Sequence, residues 1–263
     1  MKRKKILQLV SENFYLFIHG LGLSCAVWKP LEAFANKWAR IIAPDLPGHG
    51  KGPRFESPCG YEFSLMWGYI LFLLSGINDV EKHENTILVL HSMAAGLLPE
   101  IADGKWRPKA IVLVEGNVIQ ADADWSSRIS EMEDAEYKNW IVRLRKNAII
   151  IMRNQLRSVQ APDDVAMWAE GLRSVDDTAL RVIAKSLVNR TIDGHNMRAL
   201  SAIDVPSVYL RGELSDPWLD GHRQLESIGV PVVVIPASAH YPMIDNPLAV
   251  WNEINSFITS LTL

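Results

Sequence analysis

The stretch Thr86-Ile87-Leu88-Val89-Leu90-His91-Ser92-Met93-Ala94-Ala95-Gly96 decides the fold of this chain. Residues 86–90 form a short β-branched and apolar run, as in a strand buried on both faces. His91 and Ser92 end the run, and a helical pattern follows from Met93. A strand therefore passes into a helix through a turn at Ser92. A serine there has two readings. It can cap the helix, since its oxygen accepts from the first free amides, or it can be a nucleophile at a strand end. The rest of the chain separates them.

The same handover recurs on both sides. Short apolar runs at 14–18, 40–43 and 110–114 end at His19-Gly20, Pro44-Asp45 and Glu115-Gly116. Between the runs lie 26–38, 61–77 and 93–102, each long enough for a helix. Strand, helix, strand, repeated, implies right-handed crossovers and a parallel sheet. From 118 to 200 the strand signal stops. Ile141, Leu144, Ala148, Ile149, Met152 and Leu156 recur at three- and four-residue steps, and a further helix is expected over 177–188. Trp125, Trp140 and Trp168 in this segment either line an apolar pocket or bury themselves against the core. Strand runs return at 205–210 and 230–235, and a helix over 247–257 closes the chain. The reading is a core of 1–117 and 201–263, interrupted by a helical insertion over 118–200.

Open α/β sheets bind ligands beyond the carboxyl ends of their strands. The residues just past each run are His19-Gly20-Leu21-Gly22, Asp45, Ser92, Glu115, Asp216 and His240. One serine, acids and a histidine on one edge are what a nucleophilic serine needs: an alcohol attacks only as a base removes its proton, and a carboxylate orients that base. Ser92 is the nucleophile and His240 the base. Asp216 is the first choice for the acid, although an Asp before Pro217 also reads as a helix cap. Glu213 competes within its loop, and Glu115 competes from the earlier strand or lines the pocket beside Asn117. Asp45 with Gly48 and Gly50 reads as a structural turn.

In these segments the chain resembles the α/β-hydrolase family. His19-Gly20-Leu21-Gly22 resembles its oxyanion loop, and Asp45-Leu46-Pro47-Gly48-His49-Gly50 the loop after the next strand. Residues 90–96 resemble the nucleophile elbow, Leu210-Arg211-Gly212-Glu213-Leu214-Ser215-Asp216 the acid loop, and Ala237-Ser238-Ala239-His240-Tyr241-Pro242 the histidine loop. The order Ser, Asp, His is the family's order. The resemblance implies an α/β-hydrolase fold: a mostly parallel, doubly wound sheet with a helical cap and a trimmed opening strand pair, of which 6–10 supplies one short antiparallel strand. It also implies an oxyanion hole built from the backbone N–H groups of Leu21 and Met93. The sequence departs from the family at the elbow, where Leu90 and Ala94 replace the glycines of Gly-x-Ser-x-Gly.

Composition narrows the function. The chain has 263 residues with 27 Lys+Arg, 30 Asp+Glu and a net charge of -3, so it makes no electrostatic case for nucleic acid. Cys25 and Cys59 cannot build a disulfide framework, no Cys/His cluster has zinc spacing, and no metal or organic cofactor is expected. The apolar runs 6–10 and 65–74 are too short for a secretion signal or a membrane span, so a cytoplasmic protein is expected. The implied activity is hydrolysis of a small to medium carboxylic ester, thioester or lactone through an acyl-enzyme on Ser92. Two alternatives are a carbon–carbon bond hydrolase, with Arg128, Arg143 or Arg153 holding a second carboxylate, and a non-catalytic ligand-binding protein on the same scaffold.

Overall fold

The computed structural model describes residues 14–35, 39–76, 85–215 and 219–261. The strand expected over 6–10 and the acid candidate Asp216 lie outside these residues. Six strands form one sheet: β1 (Phe14–Ile18), β2 (Arg40–Ile42), β3 (Thr86–His91), β4 (Ala110–Val114), β5 (Ser207–Gly212) and β6 (Val232–Ile235), in the order β2-β1-β3-β4-β5-β6. Every pairing is parallel. The interior strands β1, β3 and β4 are buried at every residue, which is why their sequences are apolar without alternation. The edge strands β2 and β6 are partly exposed.

Two strands start later than their apolar runs. β5 begins after Pro206 and β6 after Pro231, because proline has no N–H to give the ladder. The prolines contribute acceptors instead: Ile111 donates to the Pro206 carbonyl and Tyr209 to that of Pro231.

Helices flank the sheet: α1 (Lys29–Glu32), α2 (Phe63–Ser75) and α3 (Leu98–Asp103) among the first four strands, and α10 (Leu219–Ser227), α11 (Pro242–Asp245) and α12 (Pro247–Ser260) after β5. The helix expected over 26–38 is instead a 3-10 turn, Cys25–Trp28, followed by the single turn α1, with Pro30 in its first turn. Between β4 and β5 the described secondary structure is all helical: a 3-10 turn, Gln120–Ala123, then α4 (Asp124–Glu131), α5 (Asp134–Lys146), α6 (Ala148–Gln155), α7 (Pro162–Ser174), α8 (Asp177–Ile192) and α9 (His195–Ala202). The periodicity over 141–156 belongs to two helices, not one. Asn147 separates them, its side-chain amide donating to the Arg143 carbonyl and closing off α5.

This segment is fastened to the helical turns that follow Ser92. Arg190 of α8 makes two 2.7 Å bonds to the Glu100 carboxylate on α3, donates to the Gly96 carbonyl, and lies 4.7 Å above the Phe63 ring. Phe63 packs so closely on Gly96 that a Cβ there would lie 2.3 Å from the ring. Gly96→Ala should therefore cost about 1–3 kcal/mol by overpacking. Phe63→Leu should recover part of that loss when combined with it. Thermal melts of the two single variants and the double variant test this, and an unperturbed Gly96→Ala would contradict the packing.

Candidate active site

The chain reverses direction across the sheet between β1 and β3, and the site lies at the carboxyl ends of these neighbours. Ser92 follows β3 directly, with φ +52°, a conformation that non-glycine residues rarely adopt. A tight strand-to-helix turn stands where the resemblance placed the elbow. Leu90 is wholly buried, in register with Ile18 of β1 and Leu113 of β4. Small neighbours accommodate the turn: Ala94, Ala95 and Gly96 are all buried, and a Cβ on Gly20 would come 3.0 Å from that of Ser92.

His240, on the loop after β6, places Nε2 3.1 Å from Ser92 Oγ. On its other side, Nδ1 lies 3.7 Å from Glu115 Oε2, within ion-pairing reach though too long for a hydrogen bond. Glu115 follows β4 at φ +50°, and its second oxygen is already engaged, accepting from the Gly212 N–H at 2.5 Å and the Ser215 hydroxyl at 2.8 Å. Glu213 faces elsewhere, accepting from the Ala237 N–H at 2.9 Å.

Leu21 follows β1 in a tight turn closed by the Leu23 N–H on the Gly20 carbonyl, with Gly22 at φ +70°. Met93 is the second residue of the 3-10 turn Ser92–Leu97, where the first amides have no intrahelical acceptor. Both expected oxyanion donors thus come from segments adjoining the serine.

Buried histidines hold these loops. His19 donates from Nδ1 to the Gly20 carbonyl and accepts the Leu46 N–H at Nε2, tying the loop after β1 to the one after β2. In that second loop Asp45 accepts from the Cys25 and Lys51 amides. Burial pushes the Asp45 carboxyl up, but these donors outweigh it and the net shift is downward. Asp45 is therefore a structural residue. Burial and the nearby Asp45 raise the Cys25 thiol to about 11, so it stays protonated and unreactive at neutral pH. His91 donates from Nε2 to the His240 carbonyl at 2.9 Å, anchoring the histidine loop to the elbow.

A cavity of about 480 Å³ opens on Ser92. Leu21, Trp125, Met152 and Leu172 form an apolar part, and Asp122, Arg128 and Arg157 a polar part. Asp122 accepts from the Val118 and Ile119 amides, and burial pushes its carboxyl up to about 7. Arg128 is paired with Asp124 at 3.0 Å. Arg143 and Arg153 are not among the described lining residues. The tryptophans divide: Trp125 lines the cavity, Trp140 packs beside it at 6.0 Å, and Trp168 is buried with its indole N–H on the Ala26 carbonyl.

Two contacts escaped the sequence reading. Asn117 Oδ1 lies 3.1 Å from Ser92 Oγ; the sequence placed this residue only at the pocket wall, beside Glu115. Asp245 accepts from the Arg157 and Ser158 amides with one oxygen and from the Ala239 amide with the other, linking the α6–α7 connection to the histidine loop. No spacing rule marks either pair.

The family model described as alpha/beta hydrolase family matches residues 15–253. The chain belongs to the alpha/beta hydrolase family. By family it is a hydrolase. Among curated proteins, human protein ABHD8 is 42% identical over 48 residues, which cover 18% of this chain and 11% of that protein. Among solved structures, the esterase RhEst1 from Rhodococcus sp. ECU1013 superposes with a TM-score of 0.68 at 21% identity, covering 95% of this chain and 91% of that one. The enol-lactonase from Burkholderia xenovorans LB400 gives 0.69 at 18% identity, covering 94% and 90%. No described helix is long and apolar enough to cross a membrane.

The buried histidines give the family member a pH signature. Burial lowers His19, takes His49 to about 3, and holds His91 well below its ordinary value. The unfolded chain takes up these protons near pH 6.5 and the folded chain refuses them, so stability present above that pH is lost as pH falls. Asp122 opposes this: the folded chain keeps a proton there that the unfolded chain releases between about 4 and 7. Three groups against one give a melting temperature that falls from pH 7 to pH 5. His49→Gln should flatten that slope by about one proton's worth. A melting temperature flat or rising toward pH 5 would contradict the burial of neutral rings.

Proposed function

We propose that the chain is a serine hydrolase that cleaves a small to medium carboxylic ester, thioester or lactone through an acyl-enzyme on Ser92. The observation that carries this reading is the 3.1 Å approach of His240 Nε2 to Ser92 Oγ at a serine held at φ +52°. Ser92 Oγ attacks the carbonyl carbon as His240 Nε2 takes its proton. The Leu21 and Met93 N–H groups stabilise the oxyanion, an effect worth about 3–4 kcal/mol per donor elsewhere. His240 then protonates the leaving group, and water resolves the acyl-enzyme by the same route.

Glu115 is the carboxylate we assign to His240, on its 3.7 Å distance to Nδ1. It is buried, and bonds from Gly212 and Ser215 fix its position. Its charge would favour the Nδ1–H tautomer and the imidazolium that forms during attack. The segment 118–200 acts as a cap that sets substrate choice, because α4, α6 and α7 supply Trp125, Met152 and Leu172 to the cavity wall. These residues favour an apolar acyl part, and the volume of about 480 Å³ suits a small or medium one. Ester and lactone are the classes acted on by the two structural neighbours named above. The carbon–carbon hydrolase reading is weaker, since Arg128 already has Asp124 as its partner. Against the non-catalytic reading, Leu90 packs fully buried beneath the turn while Ser92 keeps its left-handed conformation.

A panel of nitrophenyl esters of rising acyl length, acyl thioesters and lactones tests the reading. At least one class should turn over, and Ser92→Ala and His240→Ala should each lower the rate on the order of 10⁴-fold or more. Glu115→Gln keeps an acceptor for Gly212 and Ser215 but removes the charge, so it should cost on the order of 10⁴ in turnover. Asp216→Asn should cost much less. The reverse ranking would move the acid to the loop after β5, and full activity of Ser92→Ala would remove the nucleophile.

A further inference from the structure

Ser92 Oγ has one proton and two acceptors at equal distance. His240 Nε2 is 3.1 Å away, and so is Asn117 Oδ1. Asn117 is buried, lines the cavity and is fixed from three sides. Its N–H donates to the Ser92 carbonyl at 3.0 Å, its own carbonyl accepts from the Asn196 side chain at 2.8 Å, and its Nδ2 donates to the Asp122 carbonyl. A backbone carbonyl only accepts, so the amide nitrogen must face Asp122. That turns Oδ1 toward the serine and holds it there.

We propose that Asn117 is a further catalytic residue, whose amide oxygen positions the water that resolves the acyl-enzyme. The proposal rests on the acyl-enzyme reading above. Once Ser92 is acylated, Oγ has no proton left and Asn117 Oδ1 loses its donor. A buried acceptor without a donor is costly, and the hydrolytic water is the donor at hand. His240 Nε2 and Asn117 Oδ1 flank Oγ, so a water beside Oγ can give one hydrogen to each. The water oxygen attacks the acyl carbon and passes one proton to Nε2. Its second hydrogen stays on the attacking oxygen, bonded to Oδ1. The bond between the acyl carbon and Oγ then breaks, Oγ takes the proton from Nε2, and the acid leaves with the second hydrogen. Atoms and charge balance without any further reactant.

Methanol distinguishes this role from a merely structural one. Methanol has a single O–H, which His240 takes, and nothing to offer Asn117. With a nitrophenyl ester from the panel in water–methanol mixtures, the acyl-enzyme partitions between acid and methyl ester. In Asn117→Ala and Asn117→Leu the ratio of methyl ester to acid should rise by roughly two- to twelvefold, the worth of one neutral hydrogen bond. The ratio is internal to the active fraction, so partial unfolding of a variant lowers the total rate without moving it. An unchanged ratio in both variants, with wild type forming methyl ester, would overturn the role of Asn117 alone. A wild type that cleaves the ester but forms no methyl ester would overturn the acyl-enzyme reading, and this proposal with it.

Discussion

The site depends on a serine held in a left-handed conformation. At φ +52°, Ser92 carries strain on the order of 1–3 kcal/mol, and it keeps that shape only because its surroundings leave no alternative. Its carbonyl is fixed by the Asn117 N–H. Gly20 leaves room where a side chain would press on its Cβ, and Gly116 does the same for Ala95. Leu90 fills the space below with a fully buried side chain. A fully buried leucine contributes about 1.5–3 kcal/mol, comparable to the strain of the turn above it. The chain thus keeps a strained turn at Ser92 with Leu90 in place of the first glycine of the Gly-x-Ser-x-Gly pattern.

Around this turn, polar side chains fasten the loops. His19, His49 and His91 are buried and held neutral, and His19 and His91 each join two loops through ring nitrogens. Carboxylates do likewise: Glu213 links the loop after β5 to the one after β6, and Asp245 links the histidine loop to the helical segment. His240 differs from these histidines in being partly exposed, with its ring open to the cavity. The loops around the cavity are thus tied to one another, while the His240 ring is left facing the cavity and Ser92.

Much of this was legible in the sequence. The strands announce themselves because burial on both faces demands uninterrupted apolar runs, and Ser92 and His240 stand just past two of them. Proline moved the starts of β5 and β6, and Asn147 divided one apparent helix, both through local backbone chemistry. Asn117 and Asp245 were harder to find, because their partners lie 25 and 88 residues away and meet only in the folded chain. The acid shows how sequence and geometry differ in kind. Loop resemblance favours Asp216, which lies outside the described residues, whereas distance favours Glu115. Sequence marks which residues reach the sheet edge; geometry ranks those it describes.

The central claim is that Ser92 is a nucleophile activated by His240. Reaction of the folded protein with an alkyl fluorophosphonate at neutral pH, followed by peptide mass spectrometry, tests it directly. The account predicts a single adduct on Ser92, which forms far more slowly in His240→Ala and is abolished by prior unfolding. No adduct on folded protein, or an adduct on a different serine, would contradict it.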